Sequence, residues 1–228
     1  MSASPESRLI IFNVSKKKNV GEIIRSAVAL GTSEIVIVGK SKISTFGHQN
    51  TKDYIRMKHF DDMDTSREVL YCRYPRLPSS KFTGIEIAPN AEDVTKHPFK
   101  GNTAFIMGNE GQGLSEKQLK MCDQLVYIPQ YGAGTASLNV TVATSIVLHH
   151  FGVWAKYNET PRAGAKYVVD ESKQLPLELT SIDKQKQRER KRKRKEEDGG
   201  VPKKDEKESA QSGPGDSPEG AVDSTPET

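Results

Sequence analysis

Residues 103–119 read TAFIMGNEGQGLSEKQL, a stretch in which a strand, a loop and a helix start follow one another directly. Thr103–Met107 is an uninterrupted apolar run of the length typical of a buried strand. The glycines that follow predict a tight loop. Ser115 and Gln118 have the spacing of a capping box, in which each side chain accepts a hydrogen bond from the other residue's backbone N–H, so a helix is predicted to begin there.

The same alternation of strand and helix patterns continues on both sides of this stretch. Further strands are predicted over Leu9–Val14, Glu34–Val38, Gly84–Ala88 and Leu125–Ile128, and helices over Val20–Leu30, 64–73 and Leu138–Phe151. Strands that are apolar throughout and separated by helices are typical of an α/β fold, with a mostly parallel sheet covered by helices on both faces. Ligands of such sheets bind beyond the carboxyl ends of the strands.

The hydrophobic residues define where this domain ends. Residues 181–228 contain only five hydrophobic residues and no aromatic residue, so this segment cannot bury a core and is predicted to be a disordered tail. We expect the α/β domain to span residues 1–155. Residues 156–180 are predicted to form an extension packed on the domain, since Tyr157 and Tyr167 need a surface to pack against.

The charge of the tail changes sign along its length. Residues 184–195, KQKQRERKRKRK, contain nine Lys or Arg and one Glu, whereas residues 196–228 contain ten Asp or Glu and three Lys. The basic block from Lys184 to Lys195 is typical of a nuclear-import signal or of an unspecific RNA-binding arm, and it also fits a solvated spacer. We therefore expect an intracellular protein of the nucleus or cytoplasm.

Several classes of protein are excluded by what the sequence lacks. No run of about 18 apolar residues is present, so no membrane span or membrane partner is expected. Two cysteines, Cys72 and Cys122, argue against a disulfide scaffold. No CxxC or HExxH pattern occurs, so no metal site is predicted. The glycines at 108, 111 and 113 do not fit GxGxxG, which makes a nucleotide-dependent oxidoreductase a distant alternative.

Three loops contain glycines and polar residues that could contact a ligand, and all of them follow predicted strands. They read NVGEIIR over residues 19–25, FIMGNEGQGLS over 105–115 and IPQYGAGTASLNVTVA over 128–143. Glycines let a backbone approach a ligand closely and expose N–H and C=O groups, which suits a planar group such as adenine between apolar walls. The candidate walls are Ile128 and Leu138. The polar candidates around the ligand are Arg25, Glu110, Ser137 and Asn139.

In this order the three motifs resemble those of the SpoU (TrmH-like) RNA ribose 2′-O-methyltransferases of the SPOUT superfamily. The resemblance covers about residues 8–155. Two departures are visible. The stretch between Pro129 and Ser137 is about one residue longer than the commonest bacterial pattern, and Thr141 stands where that family usually has serine.

The resemblance implies a fold, a cofactor and a reaction. The C-terminal part of the sheet would form a deep trefoil knot that holds S-adenosylmethionine, and the chain would act as a homodimer with active sites near the interface. The product would be a 2′-O-methylated ribose in tRNA or rRNA. Because the resemblance includes no separate RNA-binding domain, RNA specificity is expected from the core surface, the tail or an accessory protein.

The resemblance also implies site residues. Arg25 would bind the phosphate beside the target ribose and stabilise the developing alkoxide, since a guanidinium is a poor base. Asn19 would fix the first loop, Glu110 would orient Arg25 or the substrate, and Ser137 and Asn139 would line the reaction site. The residues implied in cofactor binding are Met107, Gly108, Asn109, Gly111, Gly113, Ile128, Pro129, Ala136, Ser137 and Leu138.

Each of these roles has an alternative. Arg25 could pair with Glu22 on its own helix, and Ser137 could be the N-cap of the last helix. Asn139 shares a helix face with apolar residues, which predicts that it is buried. For the whole chain, the alternatives are a non-catalytic RNA-binding protein of the same fold and a SPOUT enzyme that methylates a base nitrogen.

Overall fold

Among the residues that the structure describes, seven parallel strands and three helices form the body of the domain. The computed structural model describes residues 4–12, 17–39, 51–60, 80–109 and 111–175. The strands are β1 Ser7–Phe12, β2 Glu34–Val38, β3 Arg56–Phe60, β4 Lys81–Ile85, β5 Glu92–Asp93, β6 Thr103–Met107, β7 Gln124–Tyr127, β8 Arg162–Ala163 and β9 Lys166–Tyr167. The helices are α1 Lys17–Ala29, α2 Glu116–Met121 and α3 Val140–Trp154, and 3₁₀ turns lie at Thr51–Tyr54, Val94–Lys96 and Glu171–Lys173.

The sheet has the strand order β3-β2-β1-β6-β4-β7-β5, and all of its strand pairs are parallel. β8 and β9 form a separate antiparallel hairpin after α3. The predicted parallel α/β sheet is therefore confirmed. Strands β1, β2 and β6 are buried along their whole length, as their uninterrupted apolar sequences predict.

Helices cover both faces of this sheet. Alternate residues of β1, Leu9 and Ile11, belong to one buried cluster, which contains the apolar faces of α1 and α3. Ile10 and Phe12 belong to a second cluster on the opposite face, together with Met121 of α2. Successive side chains of a strand point to opposite faces of the sheet. A strand that contributes side chains to a core on each face must therefore be apolar at every position.

The amino edge of the sheet contains a buried ion pair. Arg8 of β1 and Glu34 of β2 are adjacent in the parallel register and are 4% and 3% exposed. The Arg8 Nε donates to Glu34 Oε2 over 3.2 Å, Nη1 donates to Ser80 Oγ over 2.9 Å and Nη2 donates to Glu6 Oε2 over 2.6 Å. The network joins the start of β1 to β2 and to the residue that precedes β4.

Several predicted element bounds need correction. The last helix begins at Val140 and not at Leu138, because Asn139 is its N-cap. The predicted strand Gly84–Ala88 is Lys81–Ile85, since the chain leaves the sheet at Glu86. β7 starts and ends one residue earlier than predicted, and α1 starts at Lys17 and not at Val20. The predicted helix over 64–73 and the last two residues of the predicted strand Leu9–Val14 lie outside the described residues.

The extension after α3 packs through one of its two tyrosines. The Tyr157 hydroxyl donates to Pro5 O over 2.9 Å and accepts from Ser7 N over 3.2 Å, while its ring lies against Phe151. Burial raises the Tyr157 pKa above its ordinary value. Tyr167 was expected to pack as well, but it is 60% exposed. The trefoil knot, the domain bounds and the disordered tail stay predictions.

Within the described ranges, none of the helices is long and apolar enough to cross a membrane. The same residues contain no group of three or more His, Cys, Asp or Glu side chains arranged to hold a metal ion.

Candidate active site at the carboxyl edge of the sheet

The two central strands, β1 and β6, end side by side. Ile11 of β1 pairs with Met107 of β6, one residue before the end of the first strand and at the end of the second. β2 and β3 continue the sheet on one side of this pair, and β4, β7 and β5 continue it on the other. The connections leave in opposite directions at such a point, which creates the crevice where ligands of open α/β sheets bind.

The glycine-rich loop after β6 is closed by its own hydrogen bonds. Asn109 N donates to Gly113 O over 3.0 Å, and Gly113 N donates to Asn109 O over 2.9 Å. The Asn109 side chain accepts from Gly111 N over 2.8 Å. A β-carbon on Gly108 would overlap the backbone of Gly113 and would lie 2.6 Å from Leu114 N. Gly113 has a φ of +66°, so this closed loop requires glycine at both ends.

Sequence reasoning missed Glu86, which follows β4 and holds this loop in place. Its Oε2 accepts from Leu114 N over 2.7 Å, and its Oε1 accepts from its neighbour Ile87 N over 3.1 Å. A β-carbon on Gly113 would overlap the same carboxylate. The sequence could have indicated Glu86 as a site residue. It interrupts an apolar run at the carboxyl end of a strand, where side chains of neighbouring strands converge.

The start of α3 joins the third motif to the first. The Asn139 side chain accepts from Thr141 N over 2.8 Å, so Asn139 is the N-cap. The Thr141 hydroxyl donates to the backbone oxygen of Asn19 over 3.5 Å, and Asn19 is 5% exposed. Two expectations are therefore wrong, since Asn139 is exposed and Ser137 is not the cap. A capping side chain must stand at the helix end, outside the packed face.

The rest of the third loop is largely open to solvent. Ile128 and Pro129 are partly buried directly after β7, and Leu138 is partly buried before the cap. Ala136 and Ser137 are exposed. Within this loop, the Thr135 hydroxyl donates a hydrogen bond to Ser137 O over 2.9 Å.

Arg25 lies further along α1 than Asn19. Asn19 at the start of α1 contacts Thr141 at the start of α3, and Gly31 after α1 faces Tyr157 after α3, so the two helices run in the same direction. Arg25 is six residues beyond Asn19, about 9 Å along the helix at 1.5 Å per residue. It is exposed. Glu110, its predicted neighbour, lies outside the described residues.

A cavity of about 600 Å³ adjoins the glycine-rich loop. Its lining includes Glu86, Gln112 and Leu114, together with residues 87–90 after β4. It does not reach Ile128, Pro129 or the loop over 136–138. The cavity therefore contacts one of the predicted cofactor loops, and the rest of its lining comes from the segment after β4, from α2 and from the start of β7.

Comparison with known proteins identifies relatives of this region. The SpoU rRNA Methylase family matches residues 6–149. The chain is 28% identical over 144 residues to the 23S rRNA (guanosine-2′-O-)-methyltransferase RlmB of Acinetobacter baylyi, covering 62% of this chain and 57% of that protein. It is 31% identical over 142 residues to the RlmB protein of Escherichia coli K12, covering 61% and 57%. The chain thus spans little more than half the length of these relatives.

A solved structure is similar to this chain in its fold. The AdoMet-bound rRNA methyltransferase from Sinorhizobium meliloti superposes with a TM-score of 0.56 at 24% identity, covering 67% of this chain and 57% of that one. The superposition shows that the parallel sheet described above has the architecture of that enzyme's fold.

Proposed function

The chain belongs to the SpoU rRNA methylase family, and from this premise we propose that it transfers a methyl group from S-adenosylmethionine to a ribose 2′-hydroxyl of tRNA or rRNA. The observation that carries the proposal is the closed glycine loop over 108–113 at the end of the central strand β6, beside the start of α1. The first motif follows β1 and the second follows β6, its neighbour in the sheet, and the Thr141–Asn19 hydrogen bond links the third motif to the first.

The residues at this edge fit the proposed cofactor. Only glycine at 108 allows the loop after Met107 to close against Gly113, because a β-carbon there would overlap the Gly113 backbone. Partly buried Ile128 and Leu138 supply apolar surface for an adenine ring. When bound, S-adenosylmethionine supplies a methyl group activated by its sulfonium. The remaining cofactor contacts are assigned to Asn109, Gly111, Gly113, Pro129, Ala136 and Ser137.

The protein's own groups would act on the acceptor ribose. Methyl transfer breaks the sulfur–carbon bond, forms the carbon–oxygen bond and releases the hydroxyl proton, for which the adjacent phosphate or water is the acceptor. Arg25 is exposed and carries a permanent positive charge, so it can bind that phosphate and stabilise the oxygen as negative charge develops. Asn139 and Ser137, at the start of α3, can hydrogen-bond the ribose, and Glu110 is assigned to orient Arg25.

The first test is a calorimetric titration with S-adenosylmethionine. Gly108→Ala is expected to raise the Kd about 10- to 100-fold, because the loop backbone must shift to admit the new methyl group. Gly132→Ala is the matched control, since Gly132 is not assigned to the cofactor and a β-carbon there would meet no atom within 4 Å. Equal Kd values for wild type and Gly108→Ala would contradict the assignment of this loop.

The same titration tests Glu86. Glu86→Ala removes the acceptor for Leu114 N and is expected to raise the Kd about tenfold, whereas Glu86→Gln keeps an oxygen acceptor and should change it much less. Glu92→Ala is the control, because Glu92 lines the same cavity and makes no hydrogen bond to the loop in the described structure. A Glu86→Ala variant that binds like wild type would show that the carboxylate does not position the loop.

We also propose a homodimer formed through α3. The helix contains no charged residue from Val140 to Trp154, yet Val142 and Val153 are 46% and 56% exposed. Exposed apolar side chains on a helix without Asp, Glu, Lys or Arg are typical of a protein–protein contact, so this face fits a second copy of the chain. Since Arg25 lies about 9 Å along α1 from Asn19, which contacts the start of α3, we assign it to a site shared with the partner.

Light scattering of the purified protein tests the dimer. The wild-type mass should be twice that of the chain, and Val153→Glu should yield monomers because it would bury a charge at the interface. Val169→Glu changes a valine that is 69% exposed on the extension and should leave the dimer intact. A monomeric wild type would contradict this proposal.

The tail and the accessory protein remain proposals based on the sequence. The block from Lys184 to Lys195 is proposed to bind RNA or an import receptor, which would place the protein in the nucleus. Deleting residues 184–228 should weaken RNA affinity or change localisation while the Kd for S-adenosylmethionine stays the same. Loss of cofactor binding on this deletion would contradict the proposal that the tail binds RNA or an import receptor while the α/β domain binds the cofactor. If an accessory protein supplies RNA specificity, the purified chain alone should methylate RNA with little site preference.

A further inference from the structure

Tyr131 is an aromatic side chain without a partner in the described structure. Of the large hydrophobic side chains recorded as exposed, it is the most accessible, with 93% of its surface open to solvent. It forms no hydrogen bond and no ring contact with another described residue. By contrast, the hydroxyls of Tyr157 and Tyr167 donate to Pro5 O and Glu159 Oε1 over 2.9 and 3.0 Å. Single exposed apolar residues are ordinary on protein surfaces, so the position of Tyr131 is what matters.

That position is inside the proposed site. Tyr131 lies on the loop between β7 and α3, two residues after Pro129 and five before Ala136, both assigned to the cofactor. Every residue from Tyr131 to Ser137 is exposed. β-carbons placed on Gly132 and Gly134 would meet no atom within 4 Å. A large substrate can therefore approach the ring without displacing a neighbouring side chain.

The loop that contains Tyr131 has no charged residue. No Asp, Glu, Lys or Arg occurs from Gln124 to Ala155, although 28% of the whole chain is charged. This loop offers no cation to bind a phosphate and no carboxylate to repel one. What it presents is the flat face of a phenol ring. Aromatic faces stack on nucleobases whatever the base, because every base has a π-face.

We infer that Tyr131 stacks on an unpaired base of the RNA substrate, beside the ribose that is methylated. A base inside a duplex has both faces covered by its neighbours, so a protein ring can stack only on a base that is unstacked or in a single strand. The substrate is therefore an RNA loop or single-stranded segment at this point. The inference rests on the proposed function, since the loop is taken to border the methyl-transfer site.

The test compares wild type, Tyr131→Phe and Tyr131→Ala without cofactor. Fluorescence anisotropy gives the Kd for a labelled, unstructured RNA oligonucleotide and for the duplex of the same sequence. Tyr131→Ala should bind the single strand about tenfold more weakly, while Tyr131→Phe keeps the ring and stays within about twofold. Equal Kd values for all three proteins overturn the inference, and so does the same loss in both variants or an equal loss for the duplex.

A second readout reports on stacking itself. A 2-aminopurine base in the single strand should lose fluorescence on binding wild type and Tyr131→Phe, and keep it on binding Tyr131→Ala. Quenching by the alanine variant as strong as that by wild type overturns the inference. The Kd for S-adenosylmethionine should be the same for all three proteins. If wild type methylates RNA and Tyr131→Ala binds RNA normally, only this inference fails; if nothing is methylated but the stacking results hold, only the proposed function fails.

Discussion

Arg25→Ala is expected to lower kcat for RNA methylation by about 100- to 1,000-fold, the effect typical of removing one group that stabilises developing negative charge. Its Kd for S-adenosylmethionine should stay within about twofold of wild type, because Arg25 is assigned to the RNA phosphate and not to the cofactor. The measurement is a single-turnover assay with labelled cofactor and RNA, beside a calorimetric titration of the same protein.

The conservative variant separates charge from geometry. Arg25→Lys keeps a positive charge but loses the planar fork that binds a phosphate through two hydrogen bonds, so its activity should lie between those of wild type and Arg25→Ala. If Arg25 acts across the dimer, an Arg25→Ala chain mixed with a Gly108→Ala chain should regain part of the activity at a cofactor concentration too low to occupy the Gly108→Ala sites. An alanine variant that methylates RNA at the wild-type rate would contradict the role of Arg25.

Arg8→Met is expected to lower the free energy of unfolding by about 3 kcal/mol, the lower end of the range for breaking a buried ion pair. The change leaves the Glu34 carboxylate 3% exposed and without the Nε donor at 3.2 Å. The cost stays near the lower end because the Arg56 Nη1 remains 3.9 Å from the same carboxylate. Chemical denaturation monitored by circular dichroism measures the change.

The double variant Arg8→Met/Glu34→Leu is the control for this prediction. It removes both charges and fills similar volumes, and replacement of a buried pair by apolar residues is often neutral or stabilising. The double variant should therefore recover most of the stability that Arg8→Met loses. If Arg8→Met is as stable as wild type, the ion pair with Arg8 does not stabilise the buried Glu34 carboxylate.

The features that the sequence predicted correctly are mostly local. β6 and the Ser115–Gln118 capping box were predicted from adjacent residues, and the structure contains both, with Ser115 N donating to Gln118 Oε1 over 2.8 Å. Local patterns of this kind depend little on the strand order. The parallel sheet also followed, because strands that feed two cores must be apolar throughout.

The features that were missed depend on contacts between distant parts of the chain. Glu86 meets Leu114 only because β4 and β6 are neighbours in the sheet, and Arg8 is buried only because β1 pairs with β2. Asn139 was predicted to be buried from its helical spacing, but its short amide side chain caps the helix instead. The site residues known only from the family resemblance could not be placed by periodicity.

Nucleoside analysis tests the central proposal most directly. The full-length protein is incubated with S-adenosylmethionine labelled in its methyl group and with total RNA, which is then digested to nucleosides and separated. We predict label in a 2′-O-methylnucleoside, and its absence when the protein is Arg25→Ala. Label only in nucleosides methylated on the base, or no label from wild-type protein that binds the cofactor, would contradict ribose 2′-O-methylation by this chain.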